Sequence, residues 1–425
     1  MKIAFYTLGC KVNQYDTQMM SEKFIGAGHD IVDFSDVADI YVINTCTVTQ
    51  MSDKKSRNII SRAKRLNVNA VIVVCGCFSQ VSSEEVSLID GVDIVLGTSN
   101  RSDIVYYVNE YLKNGKQIVD VERKNSLSNE YISDFSEKTR AILKIEDGCR
   151  NFCSYCLIPF ARGKIISKPL QHVVDEATAI ANHGYCEIVL TGIHLSSYGI
   201  DLDGVGLADA INSVGMIDGI DRIRLGSLEP MIISKEFLEK VKDCEKLCPS
   251  FHLSLQSGCD KTLETMNRKY TSDEYRRAVK LLREYYPGCA ITTDVIVGFP
   301  GESDADFKDS LEFVREMGFA KVHIFPYSKR KGTKAASMPC QIDKKTKQQR
   351  EKQLCEVEKD CRLTFLESMV GTSQKVLVER CIDGICVGFS KNYITIKFEG
   401  DESLVNSIVD VKIVEIIDDC LMAKL

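Results

Sequence analysis

Four short, almost wholly apolar runs organise residues 1–115: "KIAFYTL" (2–8), "IYVINT" (40–45), "AVIVVCG" (70–76) and "DIVLG" (93–97). Longer stretches of helical character separate them, among them "TQMMSEKFIGAG" and "SDKKSRNIISRAKRL". A strand that is apolar on both faces needs cover on both faces, and a parallel sheet between two layers of helices provides it. The first domain is therefore expected over 1–115 as a doubly wound α/β sheet.

The polar stretch 116–140, rich in Ser, Asn and charge, reads as a linker. A second strand–helix alternation follows, with candidate strands "AILKIED", "CEIVLTG", "RIRLGS", "FHLSLQSG", "AITTDVIVGFP" and "KVHIFPYS". Six such units predict a partial (β/α)6 barrel, short of the eight that close a full one. A long charged helix, "DKKTKQQREKQLCEVEKDCRLTFLESMVG", trails it, so the second domain is expected over 141–362. Residues 363–425 change to short strands broken by "DG" and "EGD", which predicts a small β-barrel.

The net charge of −6 makes the whole molecule a poor polyanion binder, so any RNA-binding face has to be local. No signal-peptide pattern opens the chain, and no apolar stretch approaches the ~20 residues that span a bilayer. The expectation is a cytoplasmic protein without a membrane partner. In a reducing compartment, eighteen cysteines point to metal or redox chemistry rather than disulfides, although most are expected to be small buried hydrophobes.

Three of them stand in "GCRNFCSYC", as Cys149-x3-Cys153-x2-Cys156. Four thiolates would close a zinc or iron–sulfur site, whereas three leave one iron of a four-iron cluster open to a small molecule. Zinc fits poorly, because the next Cys or His residues are His172 and Cys186. The Asp147-Gly148 turn sets the loop over the C-terminal edge of the barrel strands, where barrel active sites lie. A second set, Cys10, Cys46 and Cys77, follows three predicted strands of the first domain. Strand C-termini share one edge of an open parallel sheet, so these three can converge and again leave a vacancy.

Cys-x3-Cys-x2-Cys with Tyr155 before the last cysteine resembles the radical S-adenosylmethionine superfamily. The flanks, "GCRNFCSYCLIPFARG" and then "ISK", narrow the resemblance to the methylthiotransferase family, which usually has Ser-Arg where Ser167-Lys168 stands. "TLGCKVNQYDTQ", "INTCTVT" and "CGCFSQ" are similar to that family's N-terminal signatures and favour Cys77 over Cys75 as the third ligand. The resemblance implies two 4Fe-4S clusters. One, on Cys149, Cys153 and Cys156, binds S-adenosylmethionine and generates a 5′-deoxyadenosyl radical. The other, on Cys10, Cys46 and Cys77, holds the sulfur to be inserted, and a second S-adenosylmethionine methylates it. It also implies S-adenosylmethionine contacts from Tyr155, Gly192, Ser227, Glu229, Gln256 and Asp294. Arg162 and Lys164 follow the cluster loop and can pair with carboxylate or phosphate, while His194 and His323 read as structural.

The resemblance further implies a tRNA substrate and an electron donor such as flavodoxin or ferredoxin, with the C-terminal module similar to the RNA-binding TRAM domain. That module is a poor electrostatic footprint for RNA, with six Lys/Arg against ten Asp/Glu over 363–425. Two basic clusters stand elsewhere: Lys54, Lys55, Arg57, Arg62, Lys64 and Arg65, and the better-placed Lys329, Arg330, Lys331 and Lys334 after the sixth barrel strand. Lys11-Val12-Asn13 resembles the type that modifies threonylcarbamoyladenosine at C2, beside the anticodon. Three alternatives stay open: action on isopentenyladenosine, action on a ribosomal protein, and a non-catalytic iron–sulfur RNA-binding sensor.

Overall fold

A computed structural model describes residues 1–122, 132 and 139–425. The first sheet has six parallel strands: β1 (Lys2–Thr7), β2 (Asp30–Val32), β3 (Ile40–Thr45), β4 (Val71–Gly76), β5 (Ile94–Leu96) and β6 (Ile118–Asp120). Their spatial order is β2-β1-β3-β4-β5-β6. The order reverses between β1 and β3, which opens a crevice at the C-terminal ends of those strands. All residues of β3 and β4 are buried, as expected of strands covered on both faces. β6 lies inside the stretch read as linker and extends the sheet to residue 120, pairing with β5 at Ile94↔Ile118. Most of the rest of that linker, 123–131 and 133–138, lies outside the described residues.

The next parallel array runs through β7 (Ala141–Lys144), β10 (Glu187–Thr191), β11 (Arg222–Leu225), β12 (Ser250–His252), β13 (Ala290–Val297) and β14 (Lys321–Pro326). A short antiparallel pair, β8 (Glu146–Asp147) with β9 (Ile166–Ser167), brackets the cysteine loop. Hydrogen bonding gives β7-β10-β11 and β12-β13-β14, and the isolated bridges Ile223↔Leu247 and Leu228↔Leu253 join the two halves. The result is an open six-stranded arc, the partial barrel expected from six strand–helix units.

Helix α1 (Lys11–Gly26) of the first domain packs along β7. Its Tyr15 hydroxyl donates to Glu176 Oε1 at 2.9 Å, and buried Lys168 donates to the same hydroxyl at 3.1 Å while pairing with Glu176. Lys168, the lysine in the place of the usual arginine, thus helps fasten the two domains together.

The last module is a closed barrel in the order β15-β16-β17-β19-β18, built from β15 (Ser373–Ile382), β16 (Ile385–Ser390), β17 (Thr395–Glu399), β18 (Ile408–Ile417) and β19 (Cys420–Lys424). It docks on β11 through arginines. Arg222 donates to the Phe389 and Lys375 carbonyls at 2.9 and 2.7 Å, and Arg224 to those of Lys391 and Ser390 at 2.8 and 2.7 Å. Among the described residues, no helix is long and apolar enough to cross a membrane.

Candidate functional site

The backbone that carries the cysteines is shaped by glycine. Gly148 sits at φ +102°, and a Cβ there would meet the Lys164 carbonyl oxygen at 2.0 Å. Only glycine takes that turn and lets the loop fold back on itself. Cys149, Cys153 and Cys156 then converge. Burial raises the Cys149 thiol to about 11 and the Cys156 thiol to about 12, with Cys153 adding to both rises. Thiols held this firmly in the neutral form give up their protons to a metal, not to water.

Cys10, Cys46 and Cys77 also meet, at the crevice where the strand order reverses. Cys10 precedes the first residue of α1, Cys46 follows β3, and Cys77 begins α2 (Cys77–Val81) directly after β4. Burial, with Cys77 and Cys10 adding to it, raises the Cys46 thiol to about 11. Gly9, at φ +102°, lets Cys46 approach: a Cβ there would stand 2.9 Å from Cys46 Sγ. Cys75 points the other way, its thiol 3.9 Å from Met20 Sδ in the apolar core.

The donor sets suit a four-iron cluster better than a single ion. A tetrahedral zinc with Zn–S of about 2.3 Å holds its sulfurs about 3.8 Å apart. Among the described residues, the group of metal-type donors that closes to within 4.8 Å is His252, Asp294 and His323, and neither cysteine triad does so. Three soft thiols that do not close around a single ion, with no fourth thiol beside them among the described residues, are compatible with a cubane that keeps one iron for a small ligand.

Each triad has one buried arginine against it. Arg268 Nη1 donates to Cys153 Sγ at 3.2 Å, and its Nη2 pairs with Glu229 at 2.6 Å. Arg162 Nε donates to Cys77 Sγ at 3.3 Å. Its side chain is wholly buried and also pairs with Asp147 at 2.9 Å and Asp16 at 3.2 Å. Asp16 lies at the centre of a buried network with Arg101 (2.6 Å), Lys144 (2.6 Å) and Arg162. Burial alone would raise its carboxyl, but those three cations outweigh it and hold Asp16 well below the usual carboxylate range. Three cations face two carboxylates there, and the surplus positive charge lies on the side of the second triad. The contact of Arg268 has no local signal in the sequence. Arg162 follows the cysteine loop directly, but its reach to Cys77 depends on how the two domains pack.

The residues expected to bind S-adenosylmethionine lie around the first triad and the barrel mouth. Gly192 abuts Glu146, whose Oε2 would stand 2.5 Å from a Cβ at that position. Burial raises the Glu146 carboxyl to about 8, opposed by a hydrogen bond from the His194 backbone N–H. Glu229 accepts from Asn151 at 2.9 Å as well as from Arg268. Gln256 holds a left-handed backbone at φ +69°, rare for a residue with a side chain and found where a site imposes it. Ser227 lines the barrel cavity. Tyr155 packs edge-on against Phe299. Asp294 is engaged by His252 at 3.2 Å, beside His323. His194 lies 3.1 Å from Asn151 Nδ2, within the same network as Glu229.

The basic residues after the sixth barrel strand divide. Lys329, Lys331 and Lys334 are exposed around an open groove of about 650 Å³ that Gln50 also lines. Arg330 departs from the RNA-contact expectation. It is buried, pairs with Asp53 at 2.7 Å and donates to Thr47 Oγ1 at 2.7 Å, and so clamps the barrel against the chain that follows Cys46. Carboxylate pairing and burial leave it unavailable to phosphate.

A cavity of about 390 Å³ joins all three domains: Cys10 and Lys11 from the first, Gly192, Ser227 and His252 from the second, Tyr393 from the third. Cys10 of the second triad therefore opens on the same space as the barrel strand ends.

Comparison with known proteins bears on this geometry. Residues 2–97 match the family described as "Uncharacterized protein family UPF0004", and residues 143–314 match the Radical SAM superfamily. The chain is 39% identical to the "Threonylcarbamoyladenosine tRNA methylthiotransferase MtaB" of Bacillus subtilis (strain 168), covering 97% of this chain and 94% of that protein. It is 40% identical to the protein of the same name from Aquifex aeolicus, covering 94% and 97%. A "tRNA-2-methylthio-N(6)-dimethylallyladenosine synthase" of Alkaliphilus oremlandii is 33% identical, covering 97% and 90%. In fold, the chain resembles a radical S-adenosylmethionine methyltransferase, TsrM, from Kitasatospora setae, at a TM-score of 0.58 and 16% identity, covering 79% of this chain and 77% of that one.

Proposed function

Because the chain belongs to the radical S-adenosylmethionine tRNA methylthiotransferases, with relatives named for threonylcarbamoyladenosine at 38–40% identity over nearly its full length, we propose that it inserts a methylthio group at C2 of that nucleoside beside the tRNA anticodon. The observation that carries the reading is the shared cavity, on which both Cys10 and the barrel strand ends open. A sensor without turnover has no use for such a space, and relatives named for dimethylallyladenosine stand at 31–34% identity, where one relative named for threonylcarbamoyladenosine also stands at 34%.

Cys149, Cys153 and Cys156 hold one cluster, and Cys10, Cys46 and Cys77 the other. When bound, the two clusters and S-adenosylmethionine supply hydrogen abstraction and the sulfur. The chain's own residues bind and orient. Arg268 and Arg162 set positive charge against one thiolate of each triad and strengthen the ligand set through charge-assisted hydrogen bonds. Glu229 fixes Arg268 and Asn151 beside the first loop. Gly192 lines the cavity and makes room for the Glu146 side chain beside it, and Gly192, Tyr155, Ser227, Gln256 and Asp294 complete the S-adenosylmethionine contacts. Lys329, Lys331 and Lys334 take the tRNA backbone. A flavodoxin or ferredoxin in the cytoplasm delivers the electron.

Nucleoside mass spectrometry of tRNA from cells lacking the protein tests this reading. The methylthio form of threonylcarbamoyladenosine should disappear and the unmethylthiolated form accumulate. An unchanged nucleoside profile would refute it.

A further inference from the structure

We propose that Lys11 reads the carboxylate at the end of the threonylcarbamoyl group, in a pocket floored by Tyr393. The inference rests on the substrate assignment above.

The walls of the 390 Å³ cavity carry four cations, Lys11, Arg224, Lys321 and Arg362, and no Asp or Glu. In a chain with a net charge of −6, composition does not account for that imbalance. Three of the four cations already have carboxylates: Arg224 pairs with Glu187 at 2.7 Å, Lys321 with Glu358 at 3.1 Å, and Arg362 with Asp419 at 3.5 Å. Lys11 has none among the described residues. Its ammonium lies 5.8 Å from the centroid of the Tyr393 ring, and the guanidinium groups of Arg140 and Arg224 stand over the same ring at 5.2 and 4.5 Å. Glu187 cannot neutralise it, being already shared by Arg140, Arg222 and Arg224.

A half-buried ammonium beside two other cations lacks a counter-ion, and an incoming carboxylate supplies one. Purine bases and an isopentenyl group carry no negative charge, whereas a threonylcarbamoyl group ends in a carboxylate. Position agrees with chemistry. Lys11 follows Cys10 in the chain, so an anion held by its ammonium keeps the attached purine beside the second triad. The cavity volume is within the roughly 300–1,000 Å³ of small-molecule sites. Tyr393, stacked on Phe389 at 4.9 Å, holds a fixed aromatic floor under the Lys11 ammonium. The same ammonium chemistry would also accept the carboxylate of S-adenosylmethionine or an RNA phosphate, and the experiment separates these sources.

Three anticodon stem-loop RNAs serve as probes. One carries threonylcarbamoyladenosine, one its carboxamide, in which –CO₂⁻ is replaced by –CONH₂, and one plain adenosine. Dissociation constants are measured by fluorescence anisotropy on the full chain with both clusters reconstituted. The wild type should prefer the carboxylate to the carboxamide by roughly 10–100-fold, the worth of one charge-assisted contact. Lys11→Met should lower that preference to about one and leave affinity for the adenosine loop unchanged, and Lys11→Arg should restore most of it. A lost adenosine-loop affinity would mean that Lys11 holds phosphate, and a raised KM for S-adenosylmethionine with the carboxylate preference intact would mean that it serves the cofactor. Either result overturns the proposal. Retention of the wild-type preference in Lys11→Met overturns it too, while the substrate assignment stands. If the wild type binds the modified loop no better than the adenosine loop, the substrate assignment itself falls, and the inference with it.

Discussion

The two cysteine triads offer the same three thiols and are built in opposite ways. Cys149, Cys153 and Cys156 lie on one loop between β8 and β9, so their convergence depends on local chain geometry and one glycine turn. Cys10, Cys46 and Cys77 come from three strand ends and meet only because β1, β3 and β4 are neighbours in a folded parallel sheet. The first is a motif, the second a consequence of topology. Their arginines follow the same division. Arg268 reaches Cys153 from within the barrel domain, whereas Arg162 leaves the barrel domain to reach Cys77 in the other. The second site is therefore also an interface, with Asp16 and Arg101 from one domain meeting Lys144, Asp147 and Arg162 from the next.

That contrast breaks most sharply at the cysteines. Cys149→Ala should abolish release of 5′-deoxyadenosine from S-adenosylmethionine in anaerobic protein reduced with dithionite. Cys46→Ala should keep that release and lose methylthio insertion completely. Methylthiolation by Cys46→Ala would remove the second triad from the account.

The arginines sharpen it. Arg162→Met leaves Asp16 and Asp147 short of a buried cation, and removing one partner from such a network costs about 3–5 kcal/mol. Chemical denaturation should show that loss, together with loss of iron from the second site alone. Arg268→Met should lower iron occupancy at the first triad and leave domain docking intact, as measured by limited proteolysis.

What could be read in the sequence follows the same line. The apolar runs of β3 and β4 are buried on both faces, so composition alone announces a covered parallel sheet. The Cys149 loop is visible because its ligands are adjacent. The convergence of Cys10, Cys46 and Cys77 needed only the rule that strand C-termini share an edge. The order β2-β1-β3-β4-β5-β6 was beyond reach, because pairing is non-local. β6 cannot be told from linker in the sequence, because three residues give too short a period. The burial of Arg330 could not be read from a run of basic residues, since its partner Asp53 lies in another domain.

Smaller effects test the local supports. Gly148→Ala and Gly9→Ala each force a side chain into a left-handed backbone, at about 1–3 kcal/mol of strain, and the 2.0 Å contact with the Lys164 carbonyl oxygen adds to that cost at Gly148. Gly148→Ala should lower iron content at the first site only, and Gly9→Ala at the second only. Glu146 gives a pH signature. Its folded value of about 8 stands above the ordinary 4.5, so between those values the folded chain keeps a proton that the unfolded chain has released. Stability should fall as pH rises through that window. Glu146→Gln should flatten the slope and raise stability at pH 8 by roughly 1–3 kcal/mol, as read from melting curves.

The central claim is that one chain holds two independent open clusters, and iron counting with Mössbauer spectroscopy tests it most directly. Anaerobically reconstituted wild type should hold about eight irons as two 4Fe-4S clusters. The variant with alanine at Cys149, Cys153 and Cys156 should keep about four, and so should the variant with alanine at Cys10, Cys46 and Cys77. A triple variant that keeps all of the wild-type iron, or loses all of it, would contradict the account.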